Sequence, residues 1–246
     1  MEGAVLKIDT VTIYGYSAIL AIAFLWGAFV AYKKAIEAHL DDVHVLDTIV
    51  LAGFWSFVLS RLSYVMLNLG LFWGNWPRIL FLKNYPGLDH WGLLLGVVVS
   101  IMIVTRNYRQ KFYDWFDLAM LGMVAGMSVY FAGMAIASLS LLSIGGSLTS
   151  LGMFIFLWRA EKVYRTYSWY KNKKTQAKSG FLSGVALSYY GLTHFILLVL
   201  SPGARLWVMI VNLLLFVGGF VMVYSRSGRS LSEDLKFKLR HGRKKD

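Results

Sequence analysis

Seven runs of apolar residues, each close to the length that crosses a bilayer core, constrain this chain more than any other feature. They lie near Val11 to Tyr32, Val43 to Leu67, Trp91 to Thr105, Trp115 to Ser138, Gly145 to Trp158, Gly180 to Leu200 and Leu206 to Tyr224. A backbone inside hydrocarbon must satisfy its own N–H and C=O groups, and a helix does this within one segment. The expected fold class is therefore all-α and integral to the membrane, with about seven transmembrane helices. Only 15% of the 246 residues are charged, against roughly a quarter in soluble domains.

The basic residues give the orientation, because cytoplasmic loops carry the excess of Lys and Arg. Lys33 and Lys34, the group Arg106, Arg109 and Lys111, the stretch 159–178 and the tail from Arg226 fall on one side by alternation, and together hold 20 of the 25 basic residues. Lys7, Arg78, Lys83 and Arg205 fall on the other. The expected topology has the N-terminus outside and the C-terminus in the cytoplasm, with residues 1–225 forming one membrane domain and 226–246 a basic cytoplasmic tail. The first segment begins after the acidic Glu2 and Asp9, lacks a basic n-region and has no clear small-x-small cleavage site, so it is expected to stay in the mature protein rather than act as a signal peptide.

The net charge of +12 does not imply nucleic acid, since the charges sit beside helix ends and alternate by loop. No cysteine is present, which excludes disulfides, cysteine nucleophiles and thiolate metal sites. There is no zinc spacing, no G-x-S-x-G elbow, no Walker loop and no intramembrane aspartate pair, and no metal or cofactor is implied. The outer loop FWGNWPRILF, Phe72 to Phe81, has the composition of a segment lying in the headgroup region, with a lipid gate as the sharper alternative. The stretch 159–178 mixes Tyr164, Tyr167, Trp169 and Tyr170 with seven basic residues, as suits an interfacial helix. Gly122 and Gly126 lie one turn apart and predict a close helix contact.

Ionisable groups at membrane depth are functional candidates. Arg61 stands roughly 27 Å into a helix entering from the cytoplasm, at 1.5 Å per residue. There its guanidinium can hold a phospholipid phosphate, or clamp the carbonyls of the outer loop. His194 has Tyr190 one turn earlier on the same face, so a hydrogen-bonded structural histidine is the alternative to a catalytic one. His90 follows Asp89, which suits a helix cap and also an acid that orients His90 as a general base.

In order along the chain, VTIYGYSAILAIAF, AGFWSFVLSRLSYVML, GLDHWGLLLG, FYDWFDLAMLGMVAG and SGFLSGVALSYYGLTHF resemble the bacterial prolipoprotein diacylglyceryl transferase family. The resemblance implies a seven-helix inner-membrane protein that moves diacylglyceryl from phosphatidylglycerol to a lipoprotein cysteine. Tyr14 and Gly15 match the family's Tyr-Gly of the first helix, Arg61 and Tyr64 its G-[AG]-R-x-x-Y-V, Asp117 an aspartate of the fourth helix, and Tyr190 and Gly191 the Tyr-Gly of the sixth. The implied site is Arg61 and Tyr64 on the lipid headgroup, with His90, His194, Tyr14 and Tyr190 as catalytic candidates.

The same alignment shows departures. The family's F-H-G-G reads His90-Trp91-Gly92-Leu93, so Trp91 stands where the catalytic histidine is expected. Its R-x-G-N-F-x-N-x-E falls on Phe131 to Leu139, where Gly133 alone is kept, and His194 replaces a second arginine. Two expectations follow: a divergent transferase whose partners are an outer-leaflet phospholipid and a prolipoprotein signal peptide, or a non-catalytic relative that binds phospholipid or another membrane protein. A transporter is the weaker third, because the helices lack a polar stripe.

Overall fold

The computed structural model describes residues 4–8, 11–81, 85, 87–138, 140–164, 178–200 and 206–227. The basic aromatic stretch 165–177 and the tail beyond residue 227 lie outside them. Strands β1 (Ala4–Ile8) and β2 (Val11–Tyr14) form a short antiparallel hairpin. The α-helices among the described residues are α1 (Gly15–Glu37), α2 (Asp42–Leu67), α3 (Leu69–Phe72), α4 (His90–Asn107), α5 (Phe112–Ser138), α6 (Leu141–Tyr164), α7 (Phe181–Val199) and α8 (Leu206–Arg226), with one 3-10 turn at Trp76–Ile79 between α3 and α4. All but α3 are long and apolar enough to cross a membrane, which gives the seven spans expected.

The first and fifth spans differ most from the sequence reading. The first helix begins at Gly15 rather than Val11, because the β-branched run Val11, Thr12, Ile13 pairs with β1 instead. The fifth spanning helix, α6, runs from Leu141 to Tyr164 rather than Gly145 to Trp158. Apolar content reports where hydrocarbon ends, whereas the helix continues through Arg159, Ala160 and Glu161.

Helix ends follow capping chemistry. Asp41 accepts from the amides of Val43 at 3.0 Å and His44 at 3.2 Å, and so starts α2. At the end of α1, His39 adopts a left-handed φ of 59° and Leu40 N–H reaches back to the Ala35 carbonyl at 3.0 Å. Arg109 (φ 52°) does the same after α4, with Gln110 N–H on the Thr105 carbonyl at 2.8 Å.

The chain divides into two compact units, residues 31–119 and residues 1–30 with 120–246, the boundaries falling inside α1 and α5. In the first, α2 and α4 pack backbone to backbone. A methyl group on Gly92 would collide with the main chain of Leu59 and Ser60, and one on Gly96 with that of Trp55 and Ser56. Small residues one turn apart on both helices, Ser56 and Ser60 against Gly92 and Gly96, permit this approach. Their hydroxyls cross the interface, Ser56 Oγ to the Leu93 carbonyl at 3.0 Å and Ser60 Oγ to the Asp89 carbonyl at 2.6 Å.

The second unit repeats the device twice. On α5, a Cβ at Gly126 would stand 2.8 Å from the Ala23 carbonyl of α1, and one on Gly27 would stand 2.6 Å from the carbonyl of Gly122. The Gly122 and Gly126 spacing thus marks the contact it predicted. Gly184 and Gly191 of α7 lie equally close to the backbone of α8.

Candidate functional site

Arg61 is buried near the end of α2, and the α2–α4 loop closes over its guanidinium. Nε donates to the Ile79 carbonyl at 2.8 Å, Nη1 to the carbonyls of Tyr85 at 2.9 Å and Gly87 at 3.0 Å, and Nη2 to that of Arg78 at 3.1 Å. Four hydrogen bonds from a group with five N–H donors bind one side chain to four loop carbonyls. Of the two roles open to Arg61 in the sequence, this geometry is that of the carbonyl clamp.

The Tyr64 ring forms a wall of the same construction. The guanidinium carbon of Arg61 lies 5.7 Å from its centre and 5.2 Å from that of Phe72, and the Tyr64 and Phe72 rings meet edge to face at 6.2 Å. Gly87 lies directly against the Tyr64 ring, where a Cβ would collide with the ring carbons. Arg78 adds a second tie, donating to the Leu71 carbonyl at 3.2 Å with its guanidinium over the Tyr85 ring. The Arg-x-x-Tyr spacing pointed to Arg61 and Tyr64. Gly87 and Tyr85 carried no signal of their own, because they are recognised by main-chain oxygens and by the absence of a side chain.

Asp89 and His90 open α4 in the same unit. The Asp89 carboxylate accepts from Trp91 N–H at 3.0 Å, the capping role expected of it. His90 Nδ1 lies 3.6 Å from the other Asp89 oxygen, beyond hydrogen-bond length. The indole N–H of Trp91 is buried with no hydrogen-bond partner among the described residues. An indole donates only, so it can stabilise negative charge but cannot accept a proton.

Tyr190 and His194 belong to the other unit. His194 Nδ1 lies 3.0 Å from the Tyr190 carbonyl; a carbonyl only accepts, so the contact puts the ring proton on Nδ1 and leaves Nε2 as the basic nitrogen. The two ring centres lie 4.1 Å apart, with the planes tilted by 34°. Tyr14 ends β2, and its side chain lies outside the described residues. Nearby in sequence, Tyr189 forms a hydroxyl cluster that composition did not signal, 2.8 Å from Ser150 Oγ and 3.1 Å from Thr149 Oγ1.

In the segment aligned with the family's most specific motif, the first position is packed and Ile136 is 82% exposed. Phe131 is buried, and its ring lies where a Cβ on Gly146 would come within 2.8 Å. Gly133 faces Ile19 of α1 in the same manner. Among the described residues, no three His, Asp or Glu groups gather as a metal site would need.

Comparison with known proteins bears on these positions. The family model described as prolipoprotein diacylglyceryl transferase matches residues 4–137, just over half of the 246. The chain belongs to the prolipoprotein diacylglyceryl transferase family. Relatives named phosphatidylglycerol–prolipoprotein diacylglyceryl transferase include that of Deinococcus radiodurans, 31% identical over 132 residues, which are 52% of this chain and 39% of the relative. That of Clostridium novyi is 29% identical over 104 residues, 42% of this chain and 39% of the relative. That of Thermosynechococcus vestitus is 22% identical over 127 residues, 52% and 47% of the two chains. The aligned stretch thus spans less than half the length of these relatives. Tyr14, Arg61, Tyr64, His90 and Asp117 fall within the matched residues, and Tyr190 and His194 beyond them. With seven apolar helices and bacterial relatives, the protein is a multi-pass protein of the bacterial inner membrane.

Proposed function

We propose that this family member binds phospholipid and carries out diacylglyceryl transfer from phosphatidylglycerol to a lipoprotein cysteine slowly or not at all. The observation that carries the reading of slow or absent transfer is Arg61: its donors end on four main-chain carbonyls, so the arginine kept in the motif serves the loop rather than a headgroup. Two further positions agree. Phe131 occupies the place of a motif arginine and is packed on Gly146, and Trp91 stands in place of the histidine, where a donor-only indole cannot take the thiol proton. One preorganised donor is typically worth about 3 kcal/mol in the transition state. Two missing arginines therefore cost several powers of ten in rate.

The relatives' names support phosphatidylglycerol as the lipid and a prolipoprotein as acceptor. The distribution of basic residues supports an N-terminus outside, which puts the α2–α4 loop and His90 towards the outer leaflet. A signal peptide or another membrane protein would then meet the chain from within the membrane.

The test is transfer by the purified protein in phosphatidylglycerol micelles to a lipobox peptide, read by mass spectrometry beside His90→Ala and His194→Ala. The proposal expects no diacylglyceryl adduct, with phospholipid co-purifying. An adduct abolished by His194→Ala would instead establish a rebuilt active site in which Nε2 of His194 takes the proton.

A further inference from the structure

We infer that the α2–α4 loop is a membrane-docking plate, seated on phospholipid at the headgroup border and held in shape from inside by Arg61. Three independent observations carry this, and none depends on whether the protein transfers diacylglyceryl.

The loop has an apolar outer face and a packed inner one. Trp73, Trp76 and Leu80 are 74%, 64% and 82% exposed, and Leu69, Leu71 and Phe81 are exposed as well, while Phe72 is 1% exposed. The Trp73 and Trp76 rings lie 6.5 Å apart, an arrangement of the amphipathic side chain that favours headgroup depth.

Much of the described loop backbone is also bonded within the protein, which suits a non-helical segment at membrane depth. Leu71 N–H bonds to Asn68, Trp73 to Leu69, Asn75 to Phe72, Arg78 to Asn75, Leu80 to Pro77 and Tyr85 to Phe81. Arg61 takes the carbonyls of Arg78, Ile79, Tyr85 and Gly87.

Charge and continuity identify the occupant. From Asn68 to Leu88 the sequence holds Arg78 and Lys83 and no acidic residue, which suits phosphate groups. Both feet of the loop are ends of spanning helices, α2 at Leu67 and α4 at His90, so the plate begins at the membrane border and its exposed face continues the lipid-facing surface of those helices. Arg61 is thereby a positioning residue for the plate.

The absence of cysteine makes the test direct. Trp73→Cys and Leu80→Cys variants of the full chain carry a fluorophore in phosphatidylglycerol/phosphatidylcholine nanodiscs, with Lys111→Cys in the turn after α4 as a water-exposed reference. The expected result is strong quenching of both loop probes by a nitroxide on the lipid headgroup, and quenching by aqueous acrylamide roughly threefold weaker than at Lys111→Cys, as interfacial residence implies. Acrylamide access equal to the reference would overturn the inference and mark a face open to water or a soluble partner. Adding Arg61→Gln to Leu80→Cys should raise acrylamide access towards the reference, and an unchanged depth would refute the positioning role. If Arg61→Gln does not fold, the probe depths with Arg61 intact still decide whether the plate is seated.

Discussion

Ser60 and Asp89 are joined twice across the α2–α4 interface: Ser60 Oγ donates to the Asp89 carbonyl at 2.6 Å, and the Asp89 amide returns a bond to the Ser60 carbonyl at 3.0 Å. The pairing requires the two backbones to touch, which Gly92 and Gly96 allow. Gly96→Leu is therefore expected to abolish the packed state, since its side chain would have to occupy the main chain of Ser56, and overpacking costs about 1–3 kcal/mol even where the neighbours can shift. Gly218→Ala is the matched control, with nothing within 4 Å of its Cβ. It should be neutral or stabilise by about 0.5–1 kcal/mol through helix propensity. Thermal unfolding in detergent, followed by circular dichroism, compares the two, and equal melting temperatures would contradict the close approach.

Arg61→Lys should be strongly destabilising although it keeps the charge. A lysine ammonium has three donors at one point, and it cannot reach four carbonyls spread from Arg78 to Gly87. Each buried acceptor left without a partner costs about 1–3 kcal/mol. The expected loss is therefore about 3 kcal/mol or more, concentrated in the loop. Hydrogen exchange should show the amides of Leu80 and Tyr85 losing protection before those in the middle of α2, and uniform loss along α2 would argue against a clamp.

The spans were legible because hydrocarbon thickness imposes a run length that a chain cannot disguise. Small-residue pairs such as Gly122 and Gly126 were legible too, since contact at one turn's spacing is written in residue size. The Arg61 clamp was visible only as one of two options. A guanidinium is specified by its type, but main-chain carbonyls are supplied by every residue and leave no pattern. The β2 strand was missed because Val11 to Tyr14 is apolar and joins the helix without a break. Tyr190 and His194 were correctly placed one turn apart, yet the tautomer that their contact sets depends on a backbone carbonyl that no residue type records.

At the other end of α2 and α4, Tyr108 donates to Asp47 at 3.0 Å, and its ring stacks on His44 at 3.6 Å. The hydrogen bond to the Asp47 carboxylate, with that carboxylate's charge, raises the Tyr108 pKa above its usual value of 10.0. A raised pKa means that the folded state holds the phenol proton more tightly than the unfolded chain does. The contribution is thus full below about pH 10 and is lost as pH climbs through the folded value. Comparing Tyr108→Phe with the unaltered protein by thermal melting, the gap should be constant from pH 7 to pH 9 and shrink above pH 10. A gap that widens at high pH would show the sign to be wrong.

Restoring a histidine at position 91 isolates how much of the family chemistry this scaffold can regain. Trp91→His would supply a group able to accept a thiol proton two residues after Asp89 has capped α4. It would not supply the two missing guanidiniums, because Phe131 is packed against Gly146 and His194 is turned onto the Tyr190 carbonyl. If each absent donor costs about 3 kcal/mol, the pair leaves the variant on the order of ten-thousandfold short of a complete site. Measured with the same peptide and lipid, Trp91→His should therefore remain far below the Deinococcus radiodurans transferase. A rate within roughly tenfold of that relative, a gap of only about 1.4 kcal/mol, would mean that charge on the developing intermediate is stabilised from elsewhere and would sink the claim that the two missing arginines limit transfer.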